Sequence, residues 1–333
     1  MKSLIQRLVE TPGPPGYETQ VRELIRAEVE PLADEVWVDN LGSLIARKGS
    51  GEFKVMLAAH MDEIGLMVTH IDEQGFVRFL PVGVVPPLAC AGGRVRFLSG
   101  AGGVIGIERL EDGSKSPGFE QMFIDLGAST RADCPVQVGD MAVFERPFSD
   151  LGQRIVGKAM DNRVSVAALI EALRILAGEG LELPNQVFFV FSAQEEVGSR
   201  GAAAAAFHLN PDVGLAVDVT ATGDTPKGRK MEVGLGKGPA IKVRDQGMLA
   251  DPRVVNWLVS AAERAGLPFQ LEVLEQGTTD ASAIQLTRAG IPAGALSIPC
   301  RYVHTPSEMV DYSDVSNLTR LLVELIYQPV ELS

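Results

Sequence analysis

At 333 residues the chain is longer than one typical core needs, which implies a large domain with a smaller one beside it. An apolar share of 46% with 22% charged residues excludes disorder, and a net charge of −13 argues against nucleic acid, whose phosphates need clustered Lys and Arg. Cys90, Cys134 and Cys300 are odd in number and far apart, which excludes a disulfide framework or zinc ribbon and fits a reducing cytoplasm.

The chain opens on a short amphipathic helix, with Leu4, Ile5, Leu8 and Val9 on one face, and Arg7 and Glu10 break the pattern of a signal peptide. No apolar stretch approaches the roughly 20 residues that span a bilayer, so no membrane partner is expected. The Pro/Gly cluster from Thr11 to Gly16 stops this helix, and a second is predicted over Thr19–Val29. Strands are predicted at Glu35–Asp39, Leu41–Ala46 and Lys54–Ala59.

From about Ile64 to Pro147 the character changes. Short apolar or alternating runs (Gly65–Ile71, Phe76–Phe79, Arg94–Phe97, Val104–Ile107, Met141–Phe144) are separated by Gly and Pro, with no helix of ten residues, as in a small β-rich module. After Gln153 strands and helices alternate again. Helices are predicted at Arg163–Leu176, Gly201–Phe207, Pro252–Ala265, Ala281–Ala289 and Val315–Tyr327. Strands are predicted at Gln186–Ser192, Val213–Val217, Gln270–Leu274 and Ala293–Ile298. This rhythm predicts an α/β catalytic domain over residues 1–65 and 155–333. Its mostly parallel sheet is covered by helices on both faces, and a β-rich domain is inserted over residues 66–154.

Four of the predicted sheet strands run into metal-ligand chemistry at or near their carboxyl ends, where open α/β sheets bind ligands. The strand at 54–59 leads into His60 and Asp62, the strand at 186–192 into Glu195 and Glu196, the strand at 213–217 into Asp218, and the strand at 293–298 toward His304. Asp161 precedes the helix that starts near Arg163, where helix N–H groups favour a carboxylate. Singly, each residue has an ordinary explanation as a cap, a turn residue or a hydrogen-bonded histidine. Together, two histidines and three carboxylates on one crevice would be costly to bury without cations. His60 and Asp62 lie two apart and share a face of extended chain, so Asp62 is placed to orient the imidazole. Adjacent Glu195 and Glu196 diverge, so one can ligate while the other faces water. Nitrogen and oxygen donors in two half-sites suit zinc or cobalt, and such ions lower the pKa of water and polarise a carbonyl.

At these residues the chain resembles the dinuclear metal aminopeptidases that include glutamyl aminopeptidase, deblocking aminopeptidase and the tetrahedral (TET) peptidases; some members carry an endoglucanase (cellulase M) label. The matching segments are HMDEIGLMVTHIDEQGFVRF, GKAMDNR, SAQEEVGSRGA, AVDVTATGDTP, MEVGLGKGPAI, GTTDASAI and RYVHTPSEMV, in the expected order over nearly the whole chain. The resemblance implies two divalent metal ions bridged by Asp161, with His60 and Asp218 completing one half-site and Glu196 and His304 the other. It further implies Glu195 as general base, Asp62 in support of His60, and peptide substrates with a free N-terminus. It implies a barrel-like inserted dimerisation domain, and dimers that can build dodecamers. Thr278 departs from the pattern, where glycine is expected.

His70 and His208 read as structural or solvated, and Asp224, Arg301 and Glu308 read equally as pocket lining or framework ion pairs. The glycines around Gly234–Gly238 lack phosphate-loop spacing. Three other readings compete with an aminopeptidase. A glycoside hydrolase is disfavoured by adjacent rather than opposed glutamates and by a chain with two Trp and four Tyr, few platforms for a sugar. The others are a metal-dependent deacylase or carboxypeptidase on a related fold, and a non-catalytic assembly module, which would not need Glu195.

Overall fold

The segments 54–60, 186–192, 213–220 and 293–301 are almost wholly buried, as strands at the centre of a covered sheet must be. In the computed structural model, which describes residues 1–110, 116–178 and 182–332, they lie side by side. The order is Gln186–Ser192, Lys54–His60, Val213–Thr220, Ala293–Arg301, all parallel. Ser192 pairs with His60 and Asp218 with Ser297, so the carboxyl ends meet along one rim.

The marginal strands join this parallel core through antiparallel pairs, while Ala240–Arg244 and Gln270–Val273 pair with each other in parallel. Leu44–Lys48 lies against Gln186–Ser192, with Glu35–Val38 beyond it. On the far side Ala293–Arg301 pairs with Ala240–Arg244, which in turn holds Gln270–Val273. Glu308–Asp311 folds back on the end of Ala293–Arg301 and carries Arg154–Gly157 and Ser149–Asp150. Among the described residues the sheet has eleven strands.

Alternation along each central strand sends side chains to two cores. Val55, Leu57 and Ala59 pack beneath the helices Lys2–Glu10, Thr19–Val29, Met160–Gly178, Pro252–Arg264 and Tyr312–Tyr327. Met56, Ala58, Phe188 and Val190 pack beneath Arg200–Leu209 and Asp280–Gln285. His60 and Ser192 continue the second set by their period-two spacing. Helices thus cover both faces, as the chain's rhythm predicts.

Six strands close into a barrel: Gly65–Ile71, Val77–Val82, Arg94–Phe97, Gly102–Ile107, Met122–Asp125 and Met141–Phe144. It has its own core, including Leu66, Val77, Phe79, Val95, Phe97, Met122, Ile124 and Phe144. Closure removes exposed strand edges. No helix among the described residues is long and apolar enough to cross a membrane.

Strands Met122–Asp125, Arg154–Gly157, Ala240–Arg244 and Glu308–Asp311 have no counterpart among the predicted elements. They are four or five residues long and mix charges with apolar residues, so their pairing rests on tertiary partners. The predicted strand at 41–46 lies at Leu44–Lys48, after a turn at Gly42 with φ +98°, and the predicted helix at 281–289 ends at Gln285.

Candidate metal centre

Three strand ends, one helix start and one turn deliver the five ligand-type residues. His60 is the last residue of its strand, Asp218 lies near the end of the neighbouring one, and Glu196 follows a turn in which Gln194 has φ +57°. Asp161 sits in a non-helical break (φ −74°, ψ 103°) just ahead of the regular helix, and the Asp161–Asn162 peptide is cis. His304 comes from the turn between Ala293–Arg301 and Glu308–Asp311 and has φ +62°.

Asp161 is the centre of the arrangement. Its Oδ1 lies 3.1 Å from His60 Nε2 and its Oδ2 lies 3.2 Å from His304 Nε2. Asp218 Oδ1 stands 3.8 Å from His60 Nε2, and Glu196 Oε2 stands 3.5 Å from His304 Nε2. The donors form two groups, His60–Asp161–Asp218 and Asp161–Glu196–His304, each with its ligand atoms within 4.8 Å of one another. The structure therefore brings all five together around one shared carboxylate.

Glu195 and Glu196 diverge toward different halves. Glu195 Oε2 is 3.9 Å from His60 Nε2, and its Oε1 accepts the Ser199 hydroxyl at 3.2 Å. Asp62 is fully buried beneath them. Its Oδ1 and Oδ2 accept the backbone N–H groups of Glu195 and Glu196, each at 3.0 Å, while His60 Nδ1 lies 3.2 Å from the Asp62 carbonyl and 3.5 Å from Oδ1. Asp62 therefore positions the Glu195–Glu196 main chain as well as facing the imidazole, a second task that the i, i+2 spacing alone does not reveal.

Electrostatics test whether these residues suit cations. Burial opposes the charge on Asp161, but hydrogen bonds from His304 and His60 outweigh it and hold its carboxyl well below the usual range. His60 is likewise buried, yet Asp161 and Asp62 lift its ring well above its ordinary value. The other carboxyls go the opposite way. Burial, with neighbouring carboxylates, pushes Glu195 and Glu196 well up and Asp218 up to about 8. Asp280, whose Oδ2 bonds the Ser192 hydroxyl, is pushed up to about 6. Among the described residues, Glu196 Oε1 and Asp280 Oδ1 are buried without a hydrogen-bond partner. Crowded carboxyls driven toward neutrality, with oxygens left over, are what a cation site presents when only its protein groups are counted.

The weaker candidates fall elsewhere. His70 and His208 are solvent-exposed. Asp224 and Arg301 form a two-point ion pair at 3.0 and 2.8 Å. Cys300 is buried in the strand before His304, and burial pushes its thiol well up, which keeps it neutral. The glycine turn at 234–238 is closed by the chain itself, since Asp314 accepts the N–H groups of Gly236 and Gly238. Thr278 bonds Asp245 beside Gly247.

Sequence reasoning passed over Gly83, which lies just past the barrel strand Val77–Val82. It has φ +82°, and a Cβ there would stand 2.9 Å from Glu196 Oε2, so a glycine lets this turn approach the ligand. A glycine with a left-handed φ is one of many in this chain, and nothing local marks it.

A family model described as M42 glutamyl aminopeptidase matches residues 42–321. The lysyl aminopeptidase of Pyrococcus furiosus is 36% identical over 340 residues, covering 97% of this chain and 96% of its own. The solved structure of aminopeptidase APDkam598 from the archaeon Desulfurococcus kamchatkensis is 39% identical with TM-score 0.94, over 98% and 94% of the two chains. The Pyrococcus horikoshii TET1 peptidase, which can assemble into a tetrahedron or a large octahedral shell, is 34% identical with TM-score 0.89, over 98% and 99%. With five ligand-type side chains gathered at the rim of such a sheet, the chain belongs to the M42 glutamyl aminopeptidase family.

Proposed function

We propose that the chain is a metal-dependent aminopeptidase that removes N-terminal residues from peptides at a centre of two divalent ions, zinc or cobalt. The observation that carries this reading is the shared carboxylate: the two oxygens of Asp161 face two different imidazoles, and each imidazole has a further carboxylate, Asp218 or Glu196, beside it. His60, Asp161 and Asp218 would hold one ion, and Asp161, Glu196 and His304 the other. When bound, the ions lower the pKa of an attacking water and polarise the scissile carbonyl.

Glu195 is the general base in this reading. Its carboxylate takes a proton from the attacking water and returns it to the nitrogen of the leaving amine. Ser199 fixes one of its oxygens, and Asp62 holds its main chain.

Residues 66–154, which hold all of the barrel but Gly65, form an inserted dimerisation domain, and residues 1–65 with 155–333 form the catalytic one. Homo-oligomers, dimers or dodecamers of the kind related TET peptidases build, are the assembly this reading expects, working in the cytoplasm. Chromogenic aminoacyl-anilides and carboxymethylcellulose, each assayed before and after chelation, test the function. Anilide hydrolysis lost on chelation and restored by cobalt or zinc is expected; cellulose cleavage that survives chelation would end the reading.

A further inference from the structure

Glu308 opens the strand Glu308–Asp311 and is 2% exposed. Its Oε2 accepts the backbone N–H of Asp161 at 2.9 Å, and its Oε1 accepts the backbone N–H of His304 at 2.7 Å. These are the two residues, distant in sequence, whose side chains then meet 3.2 Å apart. One carboxylate ties together the main chains that carry both.

The tie falls where the backbone is least able to hold itself. Tyr302 and His304 both have φ +62°, a conformation that residues with a Cβ adopt with difficulty. Asp161 stands in the irregular break before its helix. Both partners of Glu308 are N–H donors, so the group between them must present an acceptor oxygen to each. A carboxyl group has an oxygen at both positions, whereas an amide has one oxygen and one NH2 group.

We propose that Glu308 is the positioning residue of the centre. It sets the separation of Asp161 and His304 through their main chains, so that these side chains and Glu196 converge on one divalent ion. It touches neither the substrate nor the ion. The inference rests on the two-metal reading and adds to it a residue outside the ligand set.

The test uses the full chain as wild type, Glu308→Gln, Glu308→Asp and, as a control, Asp314→Asn. Asp314 performs the same double acceptance at Gly236 and Gly238, at 2.7 and 2.8 Å, and among the described residues makes no hydrogen bond to the five ligands. Each protein is stripped with chelator, melted, titrated calorimetrically with Co2+, and assayed on an aminoacyl-anilide for kcat and KM.

Glu308→Gln is expected to weaken one of two Co2+ sites at least tenfold and to lower kcat, with KM within twofold of wild type. Glu308→Asp, which keeps the carboxyl group but is one methylene shorter, is expected to do the same to a smaller degree. Asp314→Asn is expected to lower the melting temperature of the stripped protein and leave both Co2+ affinities unchanged. Glu308→Gln that melts lower yet binds both ions like wild type would overturn the proposal. Failure of both Glu308 variants to fold would overturn it too, by assigning Glu308 to the folding framework. Wild type that takes up no Co2+ would instead defeat the two-metal reading, an outcome legible in the wild-type titration alone.

Discussion

Glu195 and Glu196 are identical in chemistry and consecutive in sequence, and their surroundings separate their work. Glu196 has one oxygen 3.5 Å from His304 Nε2 and the other buried with no hydrogen-bond partner among the described residues, the disposition of a ligand. Glu195 is held by Ser199 on one oxygen and turns the other toward the His60 side, the disposition of a base beside the reacting water. Glu195→Gln keeps the shape and an acceptor oxygen for Ser199 but cannot take a proton. It is expected to retain the metal content of wild type, measured by elemental analysis, and to lose roughly 10²- to 10⁴-fold in kcat. A variant turning over at near the wild-type rate would mean the proton goes to a different carboxylate.

At the scale of elements, the segment around Asp161 does two jobs in three residues. Asp161 enters the centre, and Arg163, the first regular helical residue after the break, turns the other way into the core with no exposed surface. Its guanidinium donates to the carbonyls of Leu8, Thr11 and Gly13 at 2.7, 2.9 and 3.4 Å, closing the end of helix Lys2–Glu10, whose last carbonyls lack helical partners. Nearby, Glu63 accepts Lys158 Nζ at 2.6 Å. The first helix thereby anchors the helix that presents the shared ligand. Arg163→Met would take the donor from the Leu8 and Thr11 carbonyls, Gly13 keeping the N–H of Glu63, and would remove a buried cation 3.6 Å from Glu63; it is expected to cost about 3 kcal/mol or more, read as a lower urea midpoint for the chelated protein. An unchanged midpoint would mean that water satisfies those carbonyls and that the anchor adds nothing.

The same elements explain what the amino-acid sequence discloses and what it hides. The central strands were legible because burial on both faces writes itself as an unbroken apolar run, and each run ends in the chemistry it carries: His60 after KVMLAA, Asp218 after VGLAV. The strand Ala240–Arg244 hid because it contains Lys242, which is buried only because Glu272 on the neighbouring strand meets it at 2.8 Å. Glu308 was visible only as one reading among several, since its two partners lie 4 and 147 residues away and are main-chain groups that leave no mark in sequence. Gly83 belongs to the same class: its role is defined by Glu196, more than a hundred positions later.

For the whole molecule, the crowding of acids at one rim couples stability to both metal and pH. In the metal-free protein, burial raises Asp218 to about 8 and Asp280 to about 6, whereas an unfolded aspartate ionises near pH 3.9. Between these limits the folded chain holds protons that the unfolded chain has released, so folding loses stability as pH rises through that window. With two cations in place the carboxylates are ionised against positive charge, the retained protons are no longer required, and the loss is removed. Each ion also stabilises the fold by mass action, about 2.7 kcal/mol when its free concentration is a hundredfold above Kd. The melting temperature of chelated protein is therefore expected to fall from pH 5 to pH 8, while that of Co2+- or Zn2+-loaded protein changes less, so the gap between them widens with pH. Melts at both pH values, with and without metal, check this. A gap of the same width at pH 5 and pH 8 would show that the acids at the rim do not share their protons and their cations in this way, because ions bound by groups already charged would stabilise the fold equally at both.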